Sequence, residues 1–132
     1  MRQSRHVAVS VAAPAAQVYA VAVDPTRLPE WAAGLAGATV ERVDGEWVTD
    51  SPMGRIAVRF APANPFGVLD HTVVLPSGEE VLNPMRVVPD GDDCEVVFTL
   101  RRRDGMSDDE FDADTRAVAA DLAALRALVE LV

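Results

Sequence analysis

The stretch from Ser107 to Val132 limits the fold of this chain more than any other. Phe111, Thr115, Val118, Leu122, Leu125, Val129 and Val132 recur at spacings of three and four, the period of a helix with one buried stripe. A second line through Ala117, Ala124, Leu128 and Leu131 widens that stripe. Ser107, Asp108, Asp109 and Glu110 form a capping box, in which the Ser side chain takes the amide three residues on and the Glu reaches back. The three acids also face the positive end of the helix. At ~1.5 Å per residue such a helix is about 39 Å long. It needs an apolar surface of similar length to cover it.

The preceding residues supply that surface as strands. Val7, Val9 and Val11 alternate along a first strand. Pro14 then opens a short helix carrying Val18, Val21 and Ala22, and Asp24 with Pro25 opens a second carrying Leu28, Trp31 and Leu35, ended by Gly34 and Gly37. From Ala38 to Leu100, short apolar runs are separated by Asp44-Gly45, Pro52 to Gly54, a loop through Pro62 and Pro65, Ser77-Gly78 and Asp90-Gly91. That spacing predicts a six-stranded antiparallel meander. The fold class expected is α+β: a curved antiparallel sheet around a long C-terminal helix, with two short helices after strand one, in a single domain over residues 1–132.

Composition removes several function classes. A net charge of −9 makes the molecule repel phosphate backbones and anionic lipid surfaces, so no nucleic-acid partner is expected, and no apolar run approaches the ~18–20 residues that span a bilayer, so no membrane insertion is expected. All twelve basic residues are arginine; without lysine there is no Schiff base and no P-loop. His6 and His71 are the only histidines, too few for a three-histidine zinc site, and neither metal nor cofactor is expected. Cys94 stands alone and cannot form an internal disulfide, and its acidic neighbours weaken it as a nucleophile. With no continuous apolar signal-peptide core at the start, the chain reads as cytoplasmic.

The order of elements, the segment VSVAAPAAQVYAVAVDPTRLPEWAAGL with its Asp24-Pro25 and Trp31, and the run from Gly78 to Glu130 resemble the START-like (SRPBCC) superfamily. Within it the chain is most similar to bacterial polyketide cyclase/dehydrase-like proteins. The resemblance implies a helix-grip (Bet v 1-like) fold with an internal cavity for lipids, polyketides or hormones, in some members with cyclase or dehydratase activity. It supplies no fixed catalytic triad.

Strand register decides which residues would line such a cavity. If Ser77 and Gly78 form a two-residue turn, Thr72 stands opposite Asn83, Asp70 opposite Met85 and Val68 opposite Val87. A loop from Asp90 to Asp93 then sets Met85 beside Phe98, Val87 beside Val96 and Asn83 beside Leu100. The resulting wall is mainly apolar with a few polar groups, as a small-molecule pocket requires. Trp31, Phe60, Asp70, Thr72, Asn83, Met85, Phe98 and Leu122 are its expected ligand contacts. The outer face would carry Leu69, Val73, Leu82, Val88 and Val97 beside His71 and Arg86, an apolar band suited to a homodimer. One extra turn residue exchanges the faces and brings His71 and Arg86 inside, where they suit a carboxylate or enolate oxygen. Asp70 and His71 cannot form a contacting dyad, because neighbours on a strand point to opposite faces.

Three functions fit. The first is a carrier or sensor that binds a small hydrophobic molecule. The second is a cyclase, dehydratase or isomerase using Asp70 or His71 as proton carrier. The third is a protein-interaction module working through the outer band.

Overall fold

Ser107 caps the long helix in the expected way. Its hydroxyl accepts the Glu110 amide at 3.1 Å, and Glu110 Oε1 accepts the Ser107 amide at 3.1 Å. Hydrogen bonds from Ser107 hold the Glu110 carboxyl below its ordinary range. The helix, α2, spans Asp108–Glu130 and buries Phe111, Leu122, Leu125 and Val129. The computed structural model describes residues 1–131; Val132, expected in the seam, lies outside the described residues. Leu131 was expected on the widened apolar face and is instead exposed, one position past the end of α2.

The first strand, β1, spans Ser4–Val11, and α1 spans Ala15–Ala22. The expected second short helix is a 3-10 turn over Pro25–Glu30, followed by another over Ala33–Leu35. Pro29 explains the tighter winding: it has no N–H to donate, and its ring would collide with the carbonyl four residues back in an α-helix. Asp24 opens the first turn by accepting the Thr26 amide at 3.0 Å.

The strands form two joined sheets rather than one meander. β2 (Glu41–Val43), β3 (Glu46–Ser51), β4 (Gly54–Phe60), β5 (His71–Val74) and β6 (Glu80–Asn83) follow one another in a five-stranded antiparallel sheet. β7 (Met85–Asp90) and β8 (Asp93–Arg101) join β1 in a second sheet of order β1-β8-β7. Asp44 and Gly45, at φ of 52° and 81°, make the tight turn between β2 and β3. The run EVLNPMRVV was expected as one strand; it divides at Pro84, whose ring cannot donate to a ladder. Register nevertheless carries across the division. Leu69 donates to the Met85 carbonyl and Val87 donates to the Gly67 carbonyl, each at 2.9 Å. The result is a curved antiparallel surface wrapped over α2.

The β5–β6 connection corrects the two-residue turn. His71 pairs with Asn83, Thr72 with Leu82, and Val74 with Glu80. The Leu75 amide donates to the Glu79 carbonyl at 2.9 Å, which closes a three-residue loop of Pro76, Ser77 and Gly78, with Gly78 at φ +89°. Pairing of β7 with β8 follows the expectation, Met85 with Phe98 and Val87 with Val96. Only the β5 arm changes face: Leu69, His71 and Val73 turn inward, Asp70 and Thr72 outward. The outer apolar band loses Leu69 and Val73, leaving Leu82 and Val88 exposed on different strands.

α2 is fastened to β1 through Arg5, which donates to Asp112 at 2.6 Å and lies 4.2 Å over the Phe111 ring. Among the described residues, no helix is long and apolar enough to cross a membrane.

Candidate functional site

Sheet and helix do not meet everywhere, and a cavity of about 470 Å³ remains between them. The sheet contributes Ile56, Val58, His71, Val73, Asn83 and Phe98 to its wall, the 3-10 turns contribute Leu28, Trp31 and Leu35, and α2 contributes Val118 and Leu122. Its rim is charged. Arg103 meets Glu79 there at 3.0 Å, and Arg2, Arg101 and Asp114 stand nearby.

His71 is the buried titratable group of the sheet wall. Its Nδ1 lies 3.0 Å from the Leu69 carbonyl oxygen. A carbonyl only accepts, so Nδ1 carries the proton, and in the neutral ring Nε2 is a bare acceptor. Burial pushes the imidazole pKa down, against smaller opposing effects of the Leu69 hydrogen bond and the Asp70 charge. The ring is therefore neutral at pH 7. Phe60 lies 5.1 Å from it, and Phe98 meets it edge-on at 5.9 Å. No described residue hydrogen-bonds Nε2.

Two further polar groups border the cavity. Trp31 is 6% exposed, and its indole N–H is buried with no acceptor among the described residues. Asp121, on α2, accepts the Ala33 amide at 3.1 Å, and burial raises its carboxyl pKa.

The expected contacts divide by position. Trp31, Asn83, Phe98 and Leu122 line the cavity. Phe60 reaches it only through the His71 ring, and Met85 is packed into the core beside its cross-strand partner Phe98. Asp70 and Thr72 were placed inside by the two-residue turn, and the three-residue loop puts them on the other face of the sheet. There the Asp70 carboxylate accepts the Met85 amide at 2.9 Å and pairs with Arg86. Arg86, brought inside in the exchanged register, stays outside because β7 keeps its own register with β8. Burial first, and Asp93 second, raise the pKa of the Cys94 thiol, which leaves it inert.

A family model described as polyketide cyclase / dehydrase and lipid transport matches residues 2–130. The chain belongs to this family. The fold of this cyclase and lipid-transport family member is that of the START/Bet v 1 superfamily. It superposes with a TM-score of 0.70 on the Zhui aromatase/cyclase of Streptomyces sp. R1128, at 18% identity, covering 98% of this chain and 94% of that one. A START superfamily protein from Mycobacterium smegmatis gives a TM-score of 0.69 at 17% identity, covering 99% of both chains. A Bacillus thuringiensis protein gives 0.72 at 14% identity, covering 96% and 98%. No curated protein matches in sequence.

Asp121 escaped the sequence reading of this family member, although its signal was present. It stands four residues from both Ala117 and Leu125, so a carboxylate falls on the apolar row of the helix.

Proposed function

We propose that the protein is a one-domain carrier or sensor that encloses a small hydrophobic molecule, lipid-, polyketide- or hormone-like, between its sheet and α2. The observation that supports this reading is the cavity of about 470 Å³ with its mainly apolar wall. Ligand pockets typically occupy ~300–1,000 Å³, with apolar area supplying affinity and a few polar groups fixing orientation. Native mass spectrometry of protein purified from its own host tests the proposal. A one-to-one adduct is expected, and Leu122→Trp, which narrows the cavity, should weaken it. Absence of any adduct, together with failure to bind apolar probes, would remove the reading.

One observation favours a second reading, a cyclase, dehydratase or isomerase. A neutral imidazole whose Nε2 is free, in an apolar cavity, is equipped to take a proton from a bound molecule. Turnover of the native ligand that survives unchanged in His71→Phe would eliminate this role.

A further inference from the structure

Two polar side chains in the cavity wall are more than nine-tenths buried, Trp31 at 6% and His71 at 8% exposure. They differ in what the cavity can reach. The Trp31 indole N–H finds no acceptor among the described residues but is sealed off from the cavity, whereas His71, its Nδ1–H committed to the Leu69 carbonyl, keeps a lone pair on Nε2 that finds no donor among the described residues. Polar groups in a protein interior ordinarily have partners, and an acceptor left without a donor on a cavity wall specifies what should enter it.

Resting on the ligand-binding reading above, we propose that the bound molecule is a neutral apolar alcohol or phenol whose hydroxyl donates to His71 Nε2. A hydroxyl suits this wall because it carries a proton for the acceptor and no charge to bury. An ionised carboxylic acid has no proton to give and would set its own lone pairs against those of Nε2. A hydrocarbon or ether would seal Nε2 away from water without a donor, which a site built for a hydroxyl penalises strongly. Phe60 and Phe98 flank the imidazole, and Phe98 presents apolar ring surface to the cavity beside it.

Calorimetric titration with three probes of one shape tests the proposal: 1-naphthol, 1-methoxynaphthalene and 1-naphthoate. The wild-type protein should bind 1-naphthol on the order of tenfold more tightly than either of the others. In His71→Phe the preference over 1-methoxynaphthalene should vanish while binding of the ether persists. Equal wild-type affinity for naphthol and ether, tighter binding of naphthoate, or a preference that survives in His71→Phe would each overturn the hydroxyl assignment and leave the cavity reading standing. Binding of none of the three would overturn both. The wild-type ranking decides the matter even if the variant does not fold.

Discussion

His71 and Asn83 face each other across the β5–β6 pair, and through that pairing the sheet presents an imidazole rather than a carboxylate to the cavity. Shifted by one residue, the same strand would present Asp70 and Thr72, and the wall would carry a charge in place of a neutral acceptor.

Stability should therefore depend on pH through His71. Its folded pKa is depressed by burial, whereas in the unfolded chain it titrates near ~6.5. Below that value the unfolded chain takes up a proton that the folded one refuses, so stability is lost as pH falls through about 6.5 toward the folded value. The carboxylates of Glu30, Glu46 and Glu110, lowered by their partners, lose stabilisation only nearer ~4.3. Urea denaturation between about pH 7.5 and 5 should show a decline that is flatter in His71→Phe; equal slopes would contradict the assignment.

Gly67 should tolerate no side chain. Its φ is +72°, and a Cβ there would stand 2.3 Å from the Val87 carbonyl oxygen. Gly67→Ala is expected to cost about 2 kcal/mol or more, combining backbone strain with a displaced strand. A urea midpoint close to that of the wild type would show that β7 can move aside.

Ser107→Ala should remove one half of the capping box and cost about 1 kcal/mol. Because α2 forms one wall of the cavity, the loss should also appear as faster amide exchange in its first turn. Exchange confined to the C-terminal end of α2 would contradict this.

Asp70→Asn separates architecture from ligand contact. The carboxylate accepts the Met85 amide and pairs with a half-exposed Arg86, a contribution of about 1 kcal/mol after solvent screening. Stability should fall by roughly that amount while probe affinity stays unchanged. A large loss of affinity in a folded Asp70→Asn protein would give this residue a part in the site.

Legibility in the sequence followed the range of the interactions. The helix over 108–130 announces itself because capping and a spacing of three and four are local, and the β7–β8 register was readable from a tight Asp-Gly turn. The face of β5 was not, since it depends on whether Pro76 joins the loop, and two- and three-residue turns use the same Gly. The 3-10 winding around Pro29 and the division at Pro84 were signalled by prolines, yet their outcome rested on the packing around them. Asp70, the more conspicuous acid–base candidate in the sequence, ended on the outer face through that single loop residue.

The pairing of β1 with β8, Ser4 opposite Arg101 and Val11 opposite Cys94, has a consequence for how the protein comes into being. The five strands from β2 to β6 pair with their neighbours in sequence, through tight turns and one longer loop between β4 and β5, and can form as they leave the ribosome. The second sheet must wait until the first and last strands find each other across nearly the whole chain, a loop closure that slows folding. Until then there is no floor for α2 to settle on. A chain truncated before β8 thus has a sheet but lacks the surface against which α2 closes the cavity.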